Sequence, residues 1–391
     1  MSAVSTILRA LARGPARRWQ HRRSGRVRSA LRSASPSDRR YHVTFKRTAR
    51  TPRACVGGLP KSYLLFLGDT TITGYAKTAF GLRDWAGDAC VGEYALAGAT
   101  VSTGLPRLSP AEARLRGARA MIIGVANAGG VIPDSWVAGL IEALEAGLDL
   151  VSGMHMKLGD MPVLRNAAER LGRELIDVRT PPAGIRVGTG AKRGGKRLLT
   201  VGTDCALGKK YTALAIARAF RARGVNADFR ATGQTGIMIA GGGIPMDAVV
   251  SDFLAGAAEL LSPDAPADHW DVIEGQGSLF HPAYAAVTLG LLHGSQPDLF
   301  VVCHEPGRTA MLGHPGFTLP SIETVIAETV ALGRLTNPAI RCAGVSLNTG
   351  ALGTETAAAL IAAESDRLGL PVADPIRGGA AFERLIDACL A

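Results

Sequence analysis

LLTVGTDCALGKKYTALAIARAF, Leu198 to Phe220, decides the reading of this chain. An apolar strand runs into the turn GTDCALGK and then directly into an amphipathic helix from Lys209. A phosphate cradle needs that order. Glycines let backbone N–H groups close round an anion, the helix N-terminus adds its positive end, and a lysine supplies a full charge. The cradle is expected to comprise Gly202, Thr203, Asp204, Cys205, Ala206, Leu207, Gly208, Lys209, Lys210 and Tyr211, with Lys209 as the phosphate lysine. The plain alternative is a glycine-rich strand-to-helix turn that holds nothing. Two positions depart from the usual P-loop: Thr203 replaces its first glycine, and Lys210 replaces the Ser or Thr that touches Mg²⁺. A second cation suits an anion but removes the metal-anchoring hydroxyl, for which Thr212 is a partial substitute. Phosphate binding survives this change, and Mg²⁺-dependent ATP hydrolysis is disfavoured.

Outward from this stretch, apolar runs alternate with helical ones. YLLFLG (63–68), MIIGVAN (121–127), LDLVSG (148–153) and ELIDVR (174–179) precede it, with helices expected near 76–85 and 134–146. DVIEG (271–275), DLFVVCHE (298–305) and CAGVSLN (342–348) follow it. Such alternation means βαβ units and mostly parallel sheets. The expectation is α/β with two domains: an N-terminal Rossmann-like parallel sheet over 59–180, and a P-loop NTPase-like doubly wound parallel sheet over 198–391. The Gly-, Pro- and base-rich 181–197 reads as the linker.

Charge divides unevenly. Residues 1–58 hold 15 of the 44 Lys and Arg and one of the 33 acids, leaving 29 bases against 32 acids in the rest. The body therefore gives no reason to invoke nucleic acid or an anionic membrane. The Arg- and Ser-rich leader has no apolar core of a secretory signal and reads as disordered. It fits a transit peptide, a basic arm, or sequence upstream of the true start. Six cysteines without a CxxC pair argue for reduced thiols and no metal site. No apolar run reaches the ~20 residues that span a bilayer, so a cytoplasmic location is expected.

Polar groups cluster where the apolar runs end. Glu274 closes a strand in EGQG and would orient a metal, act as a base or cap a neighbour; His281 follows within reach. RATGQTGIMIAGGG (230–243) reads as a Gly-rich loop carrying Arg230 and Gln234, able to wrap a ligand or simply to cover the surface. CHEPGR (303–308) brings His304, Glu305 and Arg308, and LNTG (347–350) brings Asn348. Several such ends imply one shared site at the carboxyl edge of the sheet. In the first domain Gly68–Asp69 and Gly124–Gly130 form either a second wall of an interdomain cleft or plain βα turns.

The GTD-x-x-x-GK turn and the facing EGxG resemble dethiobiotin synthetase and its relatives. PKSYLLFLGD, GVANAGGVIPDSW, LLTVGTDCALGKKYTALA, DFRATGQTGIMIAGGG, DHWDVIEGQGSLFHP, LGLLHGSQPD, CHEPGRT and RLTNPAIRCAGVSLNT together resemble a bacterial two-domain family, the D-glutamate N-acetyltransferases. The likeness runs from about Leu59 to the C-terminus. It implies acetyl transfer from acetyl-CoA to the amine of D-glutamate in D-amino-acid catabolism, with an N-acetyl-amino-acid racemase as functional partner. On that activity, Lys209 and the 204–208 amides are expected to hold CoA phosphate, Glu274 or His281 to be the general base among candidates that include Glu305 and His304, Arg230 or Arg308 to grip a carboxylate, and Asn348 to read the cofactor. Two other readings remain: an ATP/Mg-dependent ligase or kinase, and a nucleotide- or CoA-responsive protein without turnover. Interdomain clefts and modest charge are compatible with a homo-oligomer.

Overall fold

All six residues of YLLFLG are buried, the signature of a strand covered on both faces. The computed structural model describes residues 58–391; the basic leader, Gly58 apart, and Cys55 lie outside the described residues. The run is β1 (Tyr63–Gly68), followed by α1 (Lys77–Trp85), β2 (Cys90–Ala95), α2 (Pro110–Leu115), β3 (Ala120–Ile123), α3 (Asp134–Glu145), β4 (Asp149–Ser152), α4 (Pro162–Leu171) and β5 (Leu175–Asp177). These form a parallel sheet of order β2-β1-β3-β4-β5. The strand order reverses at β1, so the crevice where such sheets receive ligands lies beyond β1 and β3.

The second domain comprises β6 (Lys196–Gly202), α5 (Lys209–Ala222), β7 (Ala227–Arg230), α6 (Gln234–Ala240), α7 (Leu254–Leu261), β8 (Trp270–Ile273), α8 (Ala285–Ser295) and β9 (Leu299–His304). A hairpin of β10 (Ala310–Met311) and β11 (His314–Thr318) precedes α9 (Ile322–Gly333), β12 (Arg341–Leu347), α10 (Thr354–Leu368), β13 (Val372–Ala373) and α11 (Gly379–Leu390). Six parallel strands run in the order β13-β12-β9-β6-β8-β7. The order reverses beside β6, which places its following turn in the ligand crevice.

Two features depart from the sequence reading. Segment 230–243 is not a loop, because Gln234–Ala240 is helical with Thr235 through Ile239 buried. Ile237 and Met238 join the apolar cluster of Leu64 and Phe66 in the first domain, and that burial outweighs the ~1 kcal/mol helix penalty of Gly236. Strand β2 went unread because Gly92 and Glu93 interrupt its apolar character. Glu93 is fully buried and accepts bonds from Ser102 and Thr103. The stretch 181–197, read as the linker, packs against the second domain, and its last two residues open β6. Arg193 donates to the carbonyls of Ser262 and Gly294, and the fully buried Arg197 donates to Ser262 Oγ at 2.6 Å, which donates to Asp271 at 2.6 Å.

Helix α6 is the joint between the domains. Thr78 and Thr235 share a buried hydroxyl hydrogen bond of 2.9 Å, and Leu59 N donates to Gly241 O at 2.8 Å. Trp85 of α1 stacks on Tyr211 of α5 with centroids 6.0 Å apart. Among the described residues no helix is long and apolar enough to cross a membrane, and the five described cysteines are free thiols.

Candidate active site

Thr203 to Gly208 link β6 to α5 through two left-handed positions, Ala206 (φ 55°) and Gly208 (φ 104°). Gly208 adopts its conformation without strain; Ala206 does so at the solvent-exposed turn. No side chain caps α5, so the first-turn amides point into the loop with their partial positive charge available. Lys209 is buried and donates to Asp204 O at 2.7 Å; burial pushes its pKa down.

Asp204 holds the loop together. Its Oδ1 accepts from Cys205 N at 2.6 Å, and its Oδ2 accepts from Leu312 N at 2.8 Å and Arg308 Nη1 at 3.0 Å. Arg308 also donates to Cys205 O and pairs with Glu305. The structure thus brings Arg308 to the P-loop, already engaged by two carboxylates. The hairpin carrying Leu312 and His314 leans over the same place.

Glu274 sits one residue past β8 and is 4% exposed. Its Oε2 accepts from Thr232 N at 2.9 Å and Gly233 N at 3.1 Å, at the mouth of α6. Oε1 has no hydrogen-bond partner among the described residues. Gly236 permits this approach, since a Cβ there would meet the carboxylate. Burial raises the pKa of Glu274, and Lys210 pulls it back down. Lys210, 4.4 Å from the Tyr211 ring centroid, is pushed down to about 8 by burial, opposed by Glu274 and reinforced by Lys77. Glu274 and Lys210 therefore face one another electrostatically where a P-loop NTPase would place acid, hydroxyl and metal. Thr212 does not supply the missing hydroxyl: it is buried and bonds Ser346 Oγ at 2.8 Å.

The remaining candidates divide. His281 is buried beside Asp204. His304 shares a 3.0 Å bond with Thr203 Oγ1 and borders a cavity of about 480 Å³ with Leu347 and Ile322. Asn348 is exposed past β12, its Oδ1 accepting from Gly350 N at 3.3 Å. Tyr211 belongs to the domain joint. Arg230 lies outside the loop's bonding network: it donates to Asp271 at 2.6 Å and pairs with Asp228. On the first domain's side, exposed Lys77 opens α1 and acts electrostatically on Lys210. The sequence reading missed Lys77, because no local pattern marks a lysine that becomes relevant only when two domains dock.

Residues 186–385 match the family model described as a domain of unknown function (DUF1611_C), P-loop domain, and 89–181 match its Rossmann-like N-terminal counterpart. A protein of Tritonibacter scottomollicae named D-glutamate N-acetyltransferase is 49% identical over 329 residues, 84% of this chain and 98% of that one. The chain belongs to the D-glutamate N-acetyltransferase family. A relative of the same name from a Pseudoalteromonas species is 48% identical over 81% of this chain and 96% of its own length. The crystal structure of a DUF1611 family protein from Anabaena variabilis superposes with a TM-score of 0.74 at 33% identity, covering 84% of this chain and 99% of that one. The family members thus share both domains and not the P-loop alone.

Proposed function

We propose that this protein transfers the acetyl group of acetyl-CoA to the amine of D-glutamate. The observation that carries the reading is the near full-length match to two relatives named for that activity. The local chemistry fits the cofactor. CoA bears a pyrophosphate, for which the uncapped α5 amides and Lys209 are a suitable cradle. The Lys209 ammonium already lies inside the loop on Asp204 O, where it can exchange a backbone carbonyl for a phosphate oxygen. With Lys210 in the metal-anchoring position and Thr212 turned to Ser346, the cradle holds an anion through lysine charge. An ATP- and Mg²⁺-using ligase is the weaker reading for that reason.

At the domain joint Lys77 and Lys210 offer two cations and Glu274 one carboxylate. D-Glutamate presents the complement, two carboxylates and an ammonium. Glu274 takes one proton from the ammonium, freeing the lone pair that attacks the thioester carbonyl; as the tetrahedral adduct collapses the C–S bond breaks, and the second proton lost from nitrogen goes to the departing CoA thiolate. Arg308 supports the loop through Asp204, and Arg230 supports the β7–β8 edge through Asp271. Catabolic use of the product by an N-acetyl-amino-acid racemase, a cytoplasmic location and a homo-oligomeric state belong to the same proposal.

Following free thiol release from acetyl-CoA with purified protein tests it. Release is expected with D-glutamate, without ATP and in the presence of EDTA. Release that required ATP, or ADP formation in its place, would transfer the reading to the ligase class. Cofactor binding without turnover on any acidic amino acid would leave a ligand-responsive protein.

A further inference from the structure

His281 is 1% exposed, and its Nε2 has no hydrogen-bond partner among the described residues. Its other ring nitrogen, Nδ1, accepts the Ala283 backbone N–H at 3.1 Å. A nitrogen that accepts carries no proton, so the ring is neutral with its one hydrogen on Nε2. The groups round that hydrogen are those of the P-loop. Asp204 Oδ1 lies 3.9 Å from Nε2, too far for a hydrogen bond, and Cys205 Sγ lies within 4.8 Å of one of the ring nitrogens. Tyr284 stacks on the ring at 4.6 Å and His314 meets it edge-on at 5.0 Å. A buried N–H without an acceptor is costly unless something satisfies it.

Asp204, Cys205 and His281 are close enough together to suggest a metal site, but their chemistry opposes one. A metal would need the Nε2 lone pair, which exists only if Nδ1 carries the proton, and that proton would meet the Ala283 N–H. Asp204 is already committed to Arg308. The same tautomer cannot take a proton at Nε2, so His281 is not the base.

We infer that His281 Nε2–H is a donor to a phosphate oxygen of the anion held by the P-loop, completing the ring of backbone amides and Lys209. This rests on the reading of that loop as the CoA phosphate cradle. Arg308 and Lys209 together offset the charges of Asp204 and Glu305, so an oxyanion reaching His281 meets little net negative charge.

Calorimetric titration of the full chain with inorganic pyrophosphate and with CoA tests it, using His281→Phe, His281→Gln and Lys209→Ala. Phe keeps the ring against Tyr284 and removes the donor; Gln returns an N–H near the Nε2 position. Phe is expected to weaken both ligands about tenfold, as loss of a bond to a charged group does. Gln should recover most of this, with melting temperatures unchanged. Nitrogen-15 spectra of the histidine rings should show the Nε2–H form, with that proton shifting on pyrophosphate addition. Unchanged pyrophosphate affinity in His281→Phe overturns the inference, as does a fall in turnover with CoA affinity intact, which would place the donor on the thioester instead. A loss of melting temperature alone would make the residue structural. If Lys209→Ala binds pyrophosphate as the wild type does while His281→Phe does not, the cradle reading fails and the donor role stands.

Discussion

The two sheets end in similar glycine-bearing turns but treat their polar groups differently. Beyond β1, Asp69 accepts from Trp136 Nε1 at 2.8 Å and Ser135 at 3.0 Å. Asn127 brackets Val131, donating to its carbonyl at 2.8 Å and accepting from its amide at 3.1 Å. These groups are returned to their own domain. Beyond β6 and β8, among the described residues, α5 lacks a side-chain cap, Glu274 Oε1 accepts no hydrogen bond, and His281 Nε2 has no partner. A glycine at a strand end therefore marks only a turn; what sets the second edge apart is that its unpartnered groups gather in one crevice.

The contrast can be broken at several points. The largest effect is expected from Glu274→Gln, which keeps the shape but removes the proton acceptor; kcat in the thiol-release assay should fall by ~10²–10⁴. Lys209→Ala should follow, with loss of ~10² in kcat/KM, since the cradle loses its full charge at a buried position. Lys77→Ala should raise KM for D-glutamate about tenfold with kcat little changed. A pH series sharpens that assignment. Lys210 is cationic below about 8 and neutral above it, so KM for D-glutamate should rise as pH climbs through that value. Asp69→Asn should be the mildest: kcat and KM unaltered, and a melting temperature lower by roughly 2–4 °C from one weakened hydrogen bond. Hydrogen bonding from Trp136 depresses the Asp69 pKa. Its contribution is therefore present above the ordinary carboxylate pKa near 3.8 and lost as pH falls through the lower folded value. Kinetic damage from Asp69→Asn equal to that from Lys77→Ala would erase the distinction between the two edges.

The P-loop was legible because its information is local: strand, glycines, lysine and helix are contiguous from Leu198 to Phe220. Buried parallel strands were legible for the same reason, as YLLFLG coincides with β1. Helix α6 was not, because Gly236 and three following glycines resemble a loop until the first domain buries Ile237 and Met238. Arg230 illustrates the opposite failure. Its place after a short strand suggested a ligand, but Asp271, 41 positions away in sequence, takes its charge. Lys210 stood out in the sequence as an anomaly, yet its relation to Glu274 required the fold.

Helix α6 has a consequence for relatives of this chain. The segment leading into it supplies the Thr232 and Gly233 amides that hold Glu274, while its flank is fastened to Thr78 of the other half. Grafting one member's amino-terminal half onto another's carboxyl-terminal half would therefore retune the carboxylate even if every catalytic side chain were retained. Chimeras in this family should inherit their proton chemistry from the match at that seam, with the donor of the P-loop alone a poor guide.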